Sequence, residues 1–330
     1  RKMKTASLIV GLVLALMLVT THAAADAVVP PGYPSKPIRL IVPSLPGSPP
    51  DVVARILGDR LGAALGQPLV VENRSGAIGT IGLHLVAKAP PDGYTLGVIA
   101  TPFAIAASLL AQVPYDTATD LAAVTQVVWS ANILVVRDSS PLSSVEELIA
   151  FARTHPGVIT YASAGNGTPG HLAGELLKLR AGIDIRHVPF KGTQGGVAAL
   201  LGEHADMNFA APPAVAAYIR SGKLRPLAIA SPQRFPAFPD VPTMIELGFP
   251  GFDIRDWEGF VAPAGTPKEI VAKLAKEIAG VVALRQVKER LASIGMEVTN
   301  EVGPEKFGTL IRSEIAKWNK VIKDAGIRLD

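Results

Sequence analysis

Apolar residues recur along this chain in two alternating rhythms. Short runs rich in β-branched and aliphatic residues mark strands at 38–42, 69–72, 94–100, 158–162, 185–188, 205–209 and 224–230. The run at 224–230 is apolar enough for a buried strand of a parallel sheet. Between the strands, apolar positions three and four apart mark helices. Val53, Ile56, Leu57, Leu61 and Leu65 fall on one helical face, and Gly66 supplies the stop. Further helices are expected at 145–153, 170–181, 195–201 and 212–221, and three amphipathic ones at 268–282, 284–294 and 304–325. Strand and helix in alternation build parallel βαβ units, so the fold class is α/β. Two β runs, 124–129 and 133–136, follow one another without a helix and are read as the passage from one domain to the next. A strand at 257–261 then leads into the closing helices. These are placed back on the first domain, because helices that end a βα chain usually cover an existing sheet.

The turns that enter the helices carry the candidate chemistry. Ser163-Ala164-Gly165-Asn166-Gly167-Thr168-Pro169 joins a strand to a helix, with Thr168 as N-cap and Pro169 as the first helical residue. Such a turn aims backbone N–H groups and the positive end of a helix dipole into one small space, which suits an anion. Ser44-Leu45-Pro46-Gly47-Ser48-Pro49-Pro50 is a second turn of this kind, with Asp51 expected as N-cap. Gly165, Gly167 and Gly170 also spell G-x-G-x-x-G. A dinucleotide site would need an acid at the C-terminal end of the next strand, whereas Asp184 precedes 185–188, at the far end. A tight packing turn without a ligand is the plain alternative.

Catalytic signals are weak. There is no G-x-S-x-G elbow. His171 could serve as an acid–base group, or simply fix a neighbouring backbone group. Asp51 is a helix cap before it is a catalyst. Lys191 could pair with an acidic ligand or stay solvated, and Trp257 could line a cleft mouth or pack.

Composition changes the picture at the N-terminus. Arg1, Lys2 and Lys4, an apolar run over 6–20 and the small residues up to Ala25 form a secretory signal, expected to be cleaved after Ala25. Of the formal charge of +4, those three cations account for all but +1. The rest of the chain therefore has no nucleic-acid footprint. Hydrophobic residues at 48% against 18% charged can fill a large core in 330 residues. No cysteine is present, and the six histidines lack ligand spacing, so neither a metal site nor a cofactor is expected.

Ordered segments along the chain give a resemblance. They include Tyr33-Pro34-Ser35-Lys36-Pro37-Ile38, Val71-Glu72-Asn73-Arg74 and Pro91-Asp92-Gly93-Tyr94-Thr95-Leu96. Tyr161-Ala162-Ser163, His187-Val188-Pro189-Phe190-Lys191-Gly192, Asp240-Val241-Pro242-Thr243 and Ala262-Pro263-Ala264-Gly265-Thr266-Pro267 continue the series. With these, residues 33–330 resemble the periplasmic solute-binding receptors of tripartite tricarboxylate transporter systems, the Bug family. The resemblance implies a two-lobed, type II-like periplasmic binding protein, each lobe a parallel-type sheet flanked by helices. Lobe 1 would be 26–130 plus 240–330, and lobe 2 would be 131–239. It implies a monomeric, non-enzymatic receptor in the periplasm that closes over a small carboxylate (a di- or tricarboxylate, amino acid or aromatic acid) and hands it to transporter membrane subunits.

The binding residues expected on this basis are Ser44, Leu45, Gly47, Ser48, Asp51, Thr101, Ser163, Gly165, Asn166, Thr168 and His171. The first loop departs from the family's P-F-x-P-G-G-x-x-D pattern at Ser44, Ser48 and Pro50. A serine at 48 would strain a left-handed backbone there, and Pro50 removes an N–H. A receptor that signals to a membrane sensor and a nucleotide-dependent enzyme are the alternatives.

Overall fold

The computed structural model describes residues 30–300 and 302–324, so the expected signal at 1–25 lies outside the described residues. In chain order the first half contains Ile38–Val42 (β1), Pro49–Leu65 (α1), Leu69–Asn73 (β2), Thr80–Ala87 (α2) and Thr95–Ala100 (β3). The short helices Thr101–Ala104 (α3) and Ala106–Leu109 (α4) then lead to the long strand Leu121–Ala131 (β4). The helical rhythm of α1 ends where expected, at Gly66 in the left-handed conformation with its N–H bonded back to the last turn.

A second series follows at once: Ile133–Arg137 (β5), Val145–Thr154 (α5), Thr160–Ser163 (β6), Pro169–Ala181 (α6), Arg186–Pro189 (β7), Gly192–Leu201 (α7), Met207–Ala210 (β8), Pro212–Arg220 (α8) and Leu224–Ile229 (β9). Ser144 caps α5 by accepting the Glu147 N–H, and the Glu147 carboxylate accepts the Ser143 N–H in return. The chain finishes with Arg255–Pro263 (β10), Lys268–Ala283 (α9), Arg285–Ser293 (α10), Glu297–Val298 (β11) and Pro304–Asp324 (α11).

These elements make two sheets, ordered β11-β4-β10-β3-β1-β2 and β7-β6-β8-β5-β9. Within each series the strands joined by βα crossovers pair in parallel, β1 with β2 and β3, and β6 with β7 and β8. The strands that carry the chain between sheets arrive without that crossover and run antiparallel. β10 does so against β3 and β4, and β5 against β8 and β9. Both sheets are therefore mixed, and β9 is an antiparallel edge strand rather than a buried parallel one.

Asn132 alone separates β4 from β5. Its carbonyl accepts the Ala230 N–H, and the Ala230 carbonyl accepts the Ile254 N–H, each at 2.9 Å. The two crossings, at Asn132 and at Ile254, thus lie on either side of Ala230, between the sheets. The stretch 240–254 was expected with the first lobe, but it packs on the second sheet. Met244, Phe252 and Ile254 are buried with Leu134, Tyr161 and Phe209, and the return to the first sheet comes at Arg255. The closing helices do cover the first sheet. α9 and α10 bury Leu274, Ile278 and Leu291 against Leu57, Leu61 and Val98, and α11 buries Phe307 and Ile311 against Trp257 and Val261. The far end of α11 goes further, placing Trp318 and Ile322 in the apolar cluster of the second sheet.

Candidate functional site

The carboxyl ends of the parallel strands from both sheets open onto one cleft, the position at which α/β sheets ordinarily bind ligands. It encloses about 230 Å³. The loop after β1 lines it through Ser44, Leu45 and Ser48, and the loop after β6 through Ala164 and Thr168, with the start of α7 adding Gly192 and Thr193. The two sides nearly touch: a Cβ placed on Gly192 would stand 3.4 Å from Leu45 Cδ1.

The first loop is built differently from its sequence expectation. α1 begins at Pro49 with Ser48 as N-cap, so Asp51 stands in the first turn instead of capping it. Asp51 is 2% exposed and works as an anchor. Its carboxylate accepts from the Gly47 N–H at 2.8 Å, Arg55 Nε at 3.0 Å and Asn73 Nδ2 at 2.9 Å. Burial pushes this carboxyl up, but those hydrogen bonds outweigh burial and hold it below the usual carboxylate range. Asn73 Nδ2 also donates to the Ser44 carbonyl, which ties the loop to the end of β2.

Gly47 takes the left-handed backbone, at φ 78°. Ser48 has φ −73°, so its side chain causes no backbone strain. The real consequence of this sequence is a shortage of donors. Pro49 and Pro50 have no N–H, the Val52 N–H goes to the Ser48 carbonyl and the Gly47 N–H goes to Asp51. What the loop offers the cleft is hydroxyl groups, with Ser44 Oγ and Ser48 Oγ 2.6 Å apart.

The second loop matches its expected helix start, with Thr168 as N-cap and Pro169 at the first helical position. The Thr168 hydroxyl makes no capping bond, however; it donates to the Gly165 carbonyl at 2.7 Å. Gly170 lets α6 approach the second sheet, since a Cβ there would collide with the Phe209 carbonyl oxygen. The Gly170 and His171 N–H groups remain without intrahelical partners and point out of the helix start.

Behind the loop lies an aromatic stack. His187 is sandwiched between Tyr161 and His171, at centroid distances of 4.8 and 4.1 Å. His187 Nε2 meets Ser163 Oγ at 2.7 Å, and His171 Nδ1 accepts the Gly167 N–H at 3.1 Å. Burial, with His171 beside it, lowers the His187 pKa to about 4, and burial lowers that of His171 as well. Both rings stay neutral at neutral pH and hold the loop in shape.

Five polar residues of the cleft were not expected from the sequence: Ser75, Thr193, Asn132, Asn208 and Asp256. Asn132 lies at the crossing between sheets, Asn208 on β8, and Asp256 on β10. Asp256 is 8% exposed, and its Oδ1 accepts the Thr101 N–H at 3.3 Å. Burial raises its pKa to about 6, with hydrogen bonds from Thr101 acting against that rise. Glu258, two residues on, is fully buried, and neither of its oxygens has a hydrogen-bond partner among the described residues. Burial, reinforced by Asp256, raises its pKa well above the usual value.

Of the expected site residues, Ser44, Leu45, Ser48 and Thr168 line the cleft. Gly47, Asp51, Thr101, Ser163, Gly165 and His171 stand behind it as supports, and Asn166 is exposed. Lys191 is exposed and outside the cleft lining. Trp257 packs edge-on against Phe307. Asp184 precedes β7 at the end away from the glycine loop. Among the described residues no group of three His, Cys, Asp or Glu could hold a metal ion.

The family model for the tripartite tricarboxylate transporter family receptor matches residues 53–327. Among solved structures, the periplasmic binding protein BugD is 34% identical with a TM-score of 0.83, covering 90% of this chain and 100% of its own. An R. palustris protein solved with adipate is 34% identical, with a TM-score of 0.84 over the same shares. MatC from Rhodopseudomonas palustris, solved with malate bound, is 32% identical with a TM-score of 0.82, over 88% of this chain and 100% of its own.

Proposed function

The chain belongs to the family of tripartite tricarboxylate transporter receptors, and from that premise we propose that it captures a small organic carboxylate in the cleft between its sheets. It is a solute-binding receptor, not an enzyme. In this proposal it works in the periplasm as a monomer and passes the solute to the membrane subunits of such a transporter. The observation that carries the proposal is the convergence of two helix starts, those of α6 and α7, with the Ser44 and Ser48 hydroxyls on one cleft. Unpaired N–H groups and the dipole at a helix start stabilise an anion without a fixed cation, and no lysine or arginine is among the described residues lining the cleft. Relatives solved with adipate and malate support the same ligand class.

The test is a thermal-shift screen of the mature protein with small organic acids and with neutral sugars as controls. An acid at a hundred times its dissociation constant should stabilise the protein by about 2.7 kcal/mol, enough to move the melting point by several degrees. A shift with sugars and none with any acid would reject the proposal.

A further inference from the structure

Among the described residues that line the cleft, the one ionisable side chain is an acid, Asp256. Its Oδ1 is engaged by the Thr101 N–H. The Thr101 side chain and the Trp257 N–H also act on this carboxylate, which lines the cleft. Two buried amides share that space. Asn132 and Asn208 are 4% and 3% exposed, and both line the cleft. Each amide can both donate and accept, so the pair can serve a solute in that space. Around them the walls are apolar, formed by Leu45, Ile78, Phe103 and Phe209.

The cleft therefore makes two opposite demands. The starts of α6 and α7 favour negative charge. Asp256 disfavours negative charge and accepts hydrogen bonds. Glu314, whose negative charge also acts on Asp256, is a further acid on this side. A solute with a carboxylate at each end would set one of them against Asp256 with no cation among the described cleft-lining residues to offset it, and like charges in a desolvated site cost heavily. Resting on the carboxylate-receptor reading above, we infer that the cleft selects a solute with a carboxylate at one end and a nitrogen-borne donor, an ammonium or an amide, at the other. Asp256 accepts from that nitrogen, and Asn132 and Asn208 complete its hydrogen bonds. Asp256 is thus the residue that decides between this class and plain dicarboxylates.

Matched probes test the inference at pH 8 by calorimetry on the full mature chain. Butanoate, succinate and 4-aminobutanoate form one set, and hexanoate, adipate and 6-aminohexanoate another. In at least one set the amino acid should bind roughly tenfold or more tighter than the dicarboxylate, as expected for exchanging like for unlike charge at a buried acid. Asp256→Asn should erase that preference, weakening the amino acid and strengthening the dicarboxylate. If the dicarboxylate binds as tightly as the amino acid or tighter, the inference is overturned while the carboxylate-receptor reading stands. If no acid of either set binds, the inference falls, and the carboxylate-receptor reading falls with it only if the wider thermal-shift screen shows no acid either. The wild-type ratio decides the matter even if the variant fails to fold.

Discussion

Glu258 sits on β10 with neither carboxyl oxygen satisfied among the described residues, and its burial favours the neutral form. A carboxyl whose pKa is raised on folding keeps a proton that the unfolded chain releases. Its stabilising share is complete below the unfolded value and is lost as pH rises above it, by up to about 1.4 kcal/mol per pH unit for one group. Glu258→Gln removes that cost. The variant should melt close to the wild type near pH 4 and increasingly above it toward pH 8, in parallel thermal scans. A difference that stays flat with pH would mean that Glu258 is not held neutral. A second residue-scale expectation concerns charge. Thr168 lines the cleft and donates to the Gly165 carbonyl, whereas Lys191 is exposed outside it. Thr168→Val should cost about 1 kcal/mol of stability and weaken acid binding, while Lys191→Ala should leave affinity unchanged. Calorimetry showing the reverse order would assign the charge recognition to the lysine.

At the scale of elements, the loop between β1 and α1 depends on one side chain. Asp51 binds Gly47, Arg55 and Asn73 together, and Asn73 in turn holds the Ser44 carbonyl. Asp51→Ala leaves the Gly47 N–H without its acceptor and takes one of two acceptors from the Asn73 amide, a loss on the order of 2–3 kcal/mol. It should lower the denaturation midpoint and loosen the loop's amide exchange at neutral pH. Because the Asp51 pKa is depressed on folding, its contribution is present above the unfolded carboxylate value and fades as pH falls below it. The variant's deficit should therefore shrink in acid, and a deficit independent of pH would contradict the anchoring role. The strands and helices around this loop were legible because each repeats a local period, and Gly66 and Ser144 end and start their helices as their chemistry dictates. The role of Asp51 was not legible, because two prolines start the helix earlier and move the cap to Ser48. Nor were Asn132, Asn208 and Asp256. They sit far apart in sequence with no motif, and only the antiparallel return of β10 and the crossing at Asn132 bring them together.

The whole molecule is two sheets joined by side-by-side crossing segments, bonded through Asn132, Ala230 and Ile254. One side of the cleft carries the Ser44 and Ser48 hydroxyls, and the other carries the starts of α6 and α7. A solute that bonds to both sides at once has more affinity for a narrow cleft than for a wide one, and that difference is what can shift the population toward closure. Short crossing segments are natural hinges. Motion about them is limited by α11, whose Trp318 and Ile322 reach the apolar cluster of the second sheet while its other end packs on the first. Closure should thus be a rotation that keeps this rear contact and changes the Leu45–Gly192 gap at the front. Small-angle scattering should give a smaller radius of gyration with a saturating acid than without it. Trp318→Ala removes a buried ring and frees the rear contact, so it should widen the unliganded ensemble and enlarge the ligand-induced change. It should also weaken binding, because more of the unliganded population then lies away from the closed form. An identical radius with and without ligand in both proteins would mean that the cleft is rigid and that the rear contact has no part in capture.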